Sequence, residues 1–190
     1  MKKTGLAIAI ALFSTLFSGL ALAHPGHGLI NAYAGFMHPL TGWDHLLVML
    51  AVGVWAAKLG GKARWQLPLT FMLVMTLGAA LGMSGLAFAG LETLIAATVM
   101  AMGLMLIISL PMNATLQVGL TGLFALMHGL AHGAELKHGV SPLIGMLLAT
   151  GLLHGVGLII GSQRINVAKR VQSGLAFSMV LVGSYWLIVG

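Results

Sequence analysis

Six apolar stretches alternate with short polar or glycine-rich connections between residues 36 and 189. Each is close to the roughly 20 residues that a helix needs to cross the hydrocarbon layer of a membrane. The stretches cover residues 36–57, 66–88, 91–110, 114–135, 142–162 and 172–189. The pattern predicts an all-α fold, a polytopic membrane helix bundle with six transmembrane helices.

A different pattern opens the chain. A basic start at residues 2 and 3 precedes an apolar run over residues 6–20 and the small-x-small sequence Ala-Leu-Ala at residues 21–23. This order is typical of a cleaved secretory signal peptide. We therefore divide the chain into a signal peptide, residues 1–23, and a six-helix transmembrane domain, residues 24–190.

Basic residues in the predicted loops indicate the orientation of the helices. The first and fifth loops carry three Lys or Arg each, and the second and third carry none. The residues are Lys58, Lys62 and Arg64, then Arg164, Lys169 and Arg170. Because cytoplasmic loops are rich in Lys and Arg, we expect a multi-pass protein of the bacterial inner membrane with both mature termini in the periplasm. Lys137, in the fourth loop, is the one exception.

Composition narrows the function. Hydrophobic residues make up 59% of the chain and charged residues 6%, which is too apolar for a soluble enzyme. The sequence has no phosphate-binding loop of the GxxxxGK[ST] type, and the net charge of +6 is spread over short loops. We therefore expect no bound nucleotide, no nucleic acid and no organic cofactor. Without cysteine, a metal would have to be held by imidazole nitrogen and carboxylate oxygen.

The three acidic residues all fall towards the predicted periplasmic side. They are Asp44, Glu92 and Glu135. Ionisable side chains inside membrane helices are costly and mark ion pathways by default. Glu92 is the weakest candidate, since it lies in the first turn of a helix, where the dipole favours a negative charge.

The first predicted helix opens with His-Pro-Leu-Thr-Gly-Trp-Asp-His, residues 38–45. In a continuous helix, His38 and His45 would project from nearly one face, two turns apart. Imidazole and carboxylate suit a borderline divalent metal, and Asp44 could instead orient a histidine. An equally good interpretation is structural: His38 caps the helix, while Asp44 and His45 form a polar contact between helices.

The fourth predicted helix ends with a second set, in which His128, His132 and Glu135 share one face. Histidines at i and i+4 chelate zinc and similar metals on helices. The alternative is a polar face turned to water. Since the first helix runs inward and the fourth outward, we expect His38 level with Glu135, and His45 level with His128 about 10 Å deeper at 1.5 Å per residue.

Three further histidines are weaker metal candidates. His154 lies near the middle of the fifth predicted helix, where it could relay an ion inward or simply bond to a neighbouring helix. His24 and His27 follow the predicted cleavage site and could capture metal in the periplasm. A short terminal tail with idle histidines is the alternative for that pair.

Together, HPLTGWDH at residues 38–45 and HGLAHGAE at residues 128–135 resemble the HupE/UreJ family over the whole chain. The resemblance implies a secondary nickel permease, or a cobalt one, associated with hydrogenase or urease maturation. It also implies metal handling by the histidines and acids of both motifs. The chain is more distantly similar to larger nickel/cobalt permeases, which have four residues between the leading histidine and the Asp-His pair, whereas this chain has five.

We therefore expect a non-enzymatic transporter that takes up Ni2+, with Co2+ or Zn2+ as alternatives, from periplasm to cytoplasm. Two other classes remain open. One is an intramembrane zinc hydrolase in which Glu135 or Asp44 acts as base on a metal-bound water. The other is a metal-binding accessory or sensor protein that does not translocate the ion.

Overall fold

A computed structural model describes residues 31–108, 110–136 and 139–189. These residues form seven helices and no strand. The helices are α1 (Ala32–Thr41), α2 (Trp43–Leu59), α3 (Ala63–Met83), α4 (Leu91–Ile108), α5 (Ala114–Glu135), α6 (Val140–Ser162) and α7 (Asn166–Val189). The predicted all-α fold is confirmed. The predicted signal peptide, His24 and His27 lie outside the described residues.

Five helices, α3 to α7, are each long and apolar enough to cross a membrane. Their bounds match five of the predicted stretches to within a few residues, apart from α3, which ends earlier, and α7, which begins earlier. The remaining stretch, residues 36–57, was predicted as one continuous helix, and that prediction is wrong. The structure divides that region into α1 and α2, which meet at an angle of 80° and count as a sixth span only as a bent pair.

The break lies at Gly42, whose backbone is extended with φ −81° and ψ 117°. The turn before it is already weakened, because Pro39 has no N–H to donate to the preceding turn. The Thr41 hydroxyl donates to the carbonyl of Met37 at 3.0 Å, and the Gly42 N–H donates to the carbonyl of His38. These bonds close α1 before α2 starts in a new direction.

Local signals set other helix ends. Asn113 caps α5, since its side-chain oxygen accepts a hydrogen bond from the Leu116 N–H at 2.9 Å, as expected for an N-cap. Gly60 and Gly61 have φ of +75° and +51°. This left-handed turn, which glycine adopts without steric cost, reverses the chain between α2 and α3.

Helix α2 forms the centre of the bundle, and nearly all its side chains from Leu47 to Ala57 are buried. Glycines bring the other helices close together. A Cβ on Gly78 would lie 3.0 Å from the Cα of Gly129, so α3 and α5 pack backbone to backbone. Gly53 and Gly157 join α2 to α6 in the same way. Small residues at such crossings permit the tight packing that stabilises helices in lipid.

Opposite charges lie at opposite ends of the bundle. α3 runs parallel to α5, and α2 runs parallel to α6, as the glycine contacts require. The three acids therefore share one end, at the starts of α2 and α4 and the end of α5. All Lys and Arg of the described residues lie at the other end, in or beside the α2–α3 and α6–α7 connections. We name these the acidic end and the basic end.

Candidate metal site

The two sequence motifs meet at the acidic end. His38 comes from the last turns of α1, His45 from the first turn of α2, and His128 and His132 from the last turns of α5. We call these four residues the histidine cluster. The break at Gly42 corrects the prediction that His38 and His45 project from one helical face. They approach each other from two helices instead.

Three imidazoles of the histidine cluster form a compact triangle. The ring centroids of His45 and His132 are 4.3 Å apart, and His38 lies 5.0 Å from each of them. One nitrogen from each ring lies within 4.8 Å of the other two. Nitrogens that share a zinc ion at 2.0–2.1 Å would be roughly 3.3 Å apart. The triangle is therefore slightly open, so it could hold a partly hydrated ion or close around a bare one.

A carboxylate accompanies His45. The Oδ1 atom of Asp44 lies 2.7 Å from His45 Nδ1, and the imidazole is buried while 16% of the Asp44 side chain is exposed. A carboxylate on one ring nitrogen fixes the imidazole and makes the other nitrogen a better ligand. The geometry suits the orienting role considered for Asp44, beside the three-histidine group and not within it.

Gly42 provides room for this pair. A Cβ at that position would lie 2.9 Å from His45 Nδ1 and 3.1 Å from Asp44 Oδ1. Both side chains thus fold back over the glycine that ends α1. The helix break and the position of His45 are one structural feature.

Glu135 stands beside His38. Its Oε2 atom is 3.6 Å from His38 Nε2, and 31% of its side chain is exposed against 19% for His38. The predicted level pairing of these two residues is observed. Since both are partly open to the exterior, they form the mouth of the site.

His128 lies deeper, with its ring centroid 5.6 Å from that of His45, as the level pairing predicted. Its Nδ1 is 2.9 Å from the carbonyl of Phe124. Because a carbonyl only accepts, Nδ1 must carry the proton, which leaves the lone pair of a neutral ring on Nε2. Nε2 is buried and has no hydrogen-bond partner among the described residues. A buried, unprotonated nitrogen of this kind is suited to a metal ligand.

His154 on α6 stands apart from the histidine cluster. Its Nδ1 is 2.7 Å from the carbonyl of Met49 on α2, so this ring is the interhelical hydrogen bonder that the sequence offered as an alternative. The same reasoning leaves a lone pair on Nε2, and this buried atom has no partner among the described residues. Thr150, one turn earlier, also buries an unpartnered hydroxyl.

Phe71 on α3 connects the two regions. Its ring centroid is 6.0 Å from that of His128 and 5.3 Å from that of His154, and the residue is fully buried. Sequence reasoning missed Phe71 and Thr150, because an aromatic or a threonine in an apolar helix carries no signal of its own. Gly42 was missed as well, although a glycine three residues after a helical proline indicates a break.

The chain matches the family model described as HupE / UreJ protein over residues 11–186, a range that includes both motifs. It is also similar to Protein HupE of Rhizobium leguminosarum bv. viciae. The two are 37% identical over 186 residues, which cover 96% of this chain and 97% of that protein. No solved structure matches this chain.

Proposed function

The chain belongs to the HupE/UreJ family, and from that premise we propose that it is a secondary transporter which takes up Ni2+ from the periplasm into the cytoplasm. Co2+ and Zn2+ are the alternative ions, since imidazole and carboxylate ligands accept all three. The protein would act as a permease of the inner membrane, supplying a hydrogenase or urease maturation system.

The observation that carries this proposal is the triangle of His38, His45 and His132, with ligand atoms within 4.8 Å of one another inside an apolar bundle. Buried polar groups in a membrane are expensive. Four imidazoles gathered from three helices therefore call for a ligand. The adjacent carboxylates of Asp44 and Glu135 would offset the charge of a divalent cation in this environment.

Charge distribution supports an entry point at the acidic end. All three acids of the chain lie there, and the Lys and Arg of the described residues lie at the basic end. Negative charge at a pore mouth raises the local concentration of cations. In the proposed topology the acidic end faces the periplasm.

The route inward would run from the mouth at Glu135 through the triangle to His128, then past Phe71 to His154. Each imidazole that holds its proton at Nδ1 presents a lone pair at Nε2, so ligand exchange between neighbouring rings would move the ion in short steps. Conduction needs sites that bind weakly enough to release the ion. Because Phe71 contacts both His128 and His154, its ring must turn aside for the ion to pass.

Uptake of radiolabelled nickel into proteoliposomes containing the purified full chain tests the proposal. We expect uptake above that of protein-free vesicles, and near-complete loss of it in His45→Ala and His128→Ala. Thr98→Ala serves as the matched control, since Thr98 is a buried polar residue whose hydroxyl donates to the carbonyl of Ile95 in its own helix. It should transport like the wild type.

No uptake by the wild-type protein above protein-free vesicles would disprove the transport proposal. If that protein nevertheless bound nickel in detergent, the accessory or sensor class would replace it. Wild-type uptake that both histidine variants retain would leave transport standing and refute the site. Competition by unlabelled Co2+, Zn2+ and Mn2+ would establish selectivity.

A further inference from the structure

A half-open cavity lies at the basic end, remote from the histidine cluster. It has a volume of about 340 Å³ and opens between the ends of α2 and α4 and the start of α7. Its wall combines basic, polar and apolar residues: Lys58, Leu106, Ile107, Lys169, Gln172, Ser173, Ala176 and Phe177. Nothing in the proposed transport route uses it.

Lys58 is held in place at the cavity. Its Nζ donates a hydrogen bond to the carbonyl of Leu106 at 3.0 Å, in the last turn of α4. An ammonium has three donors, so this bond occupies only one of them. The others are available to a ligand in the cavity, where Lys169 supplies a second positive charge from α7.

None of the three acidic side chains lies near the two lysines. Along α2, Asp44 is 14 residues from Lys58, about 21 Å at 1.5 Å per residue. Glu92 is as far from Leu106 along α4, by the same rise of roughly 1.5 Å per residue. Glu135 lies against His38 at the acidic end. Since the chain has only these three acids, a negatively charged partner of the lysines would come from outside the chain.

The apolar side of the cavity indicates which anion fits. Ile107 and Phe177 are 42% and 59% exposed, and both line the same cavity as the lysines. A free phosphate ion would leave this surface unused. A phospholipid would cover it with an acyl chain, while the head group reached Lys58, Lys169 and the Ser173 hydroxyl at the ends of the helices, where head groups lie.

We propose that this cavity binds an anionic phospholipid, with the head-group phosphate between Lys58 and Lys169 and an acyl chain against Ile107 and Phe177. The lipid would join the ends of α2, α4 and α7. Lys58 and Lys169 belong to different helices, so a shared anion also offsets their mutual repulsion. This inference does not depend on the proposed transport function.

The test titrates the detergent-solubilised full chain with phosphatidylglycerol and, separately, with phosphatidylethanolamine of the same acyl chains, and counts bound lipids by native mass spectrometry. The double variant Lys58→Gln/Lys169→Gln should bind phosphatidylglycerol about 30-fold more weakly, given the contribution of two basic residues to anionic lipid binding. The control Lys62→Gln/Arg164→Gln removes equal charge at the same end but outside the cavity, and should bind as the wild type does.

A third variant, Ser173→Phe, keeps both lysines and fills the cavity. Its affinity for phosphatidylglycerol should also fall, although its charge is unchanged, which separates binding in the cavity from simple charge attraction. It also keeps the proposal testable if circular dichroism shows that the lysine double variant folds poorly. Three outcomes would each overturn the proposal. They are an equal loss of phosphatidylglycerol affinity in the control Lys62→Gln/Arg164→Gln, an equal affinity of the wild type for phosphatidylethanolamine, and full phosphatidylglycerol affinity in Ser173→Phe. Displacement of the lipid by millimolar inorganic phosphate would identify a free-phosphate site instead.

Discussion

The two α5 histidines of the histidine cluster and His154 are buried equally well, but their surroundings differ. His128, His132 and His154 are each at most 1% exposed. In the cluster each of four rings lies next to at least one other ring, and two of the rings each have a carboxylate beside them. His154 has a backbone carbonyl on one nitrogen and the edge of Phe71 nearby. No carboxylate contacts it among the described residues.

This difference separates two functions that histidine has in a membrane. A ring that bonds to a neighbouring helix needs one acceptor, and His154 has that acceptor in Met49. A ring that holds an ion needs other ligands within reach and a compensating charge. Burial alone does not distinguish these cases, whereas the number of donors and acids nearby does. We therefore expect the residues of the histidine cluster to contribute more to metal binding than His154.

The largest effect is expected for His45→Ala, which removes a member of the triangle. Structural zinc sites bind with about 10–16 kcal/mol over four ligands, or about 3 kcal/mol per ligand, which corresponds to about 100-fold in affinity. We expect a loss of this size for nickel by isothermal titration calorimetry in detergent. An affinity within threefold of the wild type would show that the triangle is not the binding site.

Asp44→Asn should have the next largest effect. The substitution keeps the shape of the side chain but removes the charge beside His45 Nδ1, and losing such an orienting partner typically costs about 10- to 100-fold in metal affinity. Glu92→Gln is the matched control, since Glu92 also lies in the first turn of a helix at the acidic end but belongs to no group of three potential ligands among the described residues. Equal losses in the two variants, measured by the same calorimetry, would indicate a general field and not an orienting contact.

Gly42→Ala should have a smaller effect. We expect it to lower the affinity for metal without lowering the free energy of unfolding. The new methyl group would push His45 and Asp44 from their positions, and an off-rotamer side chain costs about 0.5–1.5 kcal/mol, or roughly two- to tenfold in affinity. Alanine tolerates the extended backbone of Gly42, so the free energy of unfolding should be unchanged or higher by up to about 1 kcal/mol. Thermal unfolding and calorimetry on one preparation check both signs. A destabilised protein with normal affinity would contradict this account.

The smallest effect on equilibrium binding is expected for His154→Leu. The leucine fills a similar volume and leaves the histidine cluster intact, so nickel affinity should stay within about twofold, well below the 1.4 kcal/mol of a tenfold change. The initial rate of uptake into proteoliposomes should nevertheless fall, because the inner step of the route is lost. If binding falls as far as in His45→Ala, His154 belongs to the same site. Normal uptake would instead leave it as an interhelical hydrogen bonder.

Much of the architecture could be read from the sequence. Residues 114–135 were predicted as a helix and form α5, because Asn113 supplies a cap and the apolar run has the length of a span. The candidate ligands were equally visible, since histidines and acids stand out within apolar membrane helices. The break at Gly42 escaped prediction because α1 and α2 together have the length and apolarity of one helix.

The sequence by itself identified the candidate ligands and the end of the bundle at which the acids would collect, because helix length and direction follow from hydrophobic pattern alone. Only the tertiary structure decided how those residues meet. The triangle depends on an 80° turn between α1 and α2 and on α5 ending against that turn. The contacts of Phe71 with His128 and His154 likewise depend on how the helices pack. Spacing along one helix is local, whereas contacts between helices depend on close packing at small residues such as Gly78 and Gly129, which periodicity does not encode.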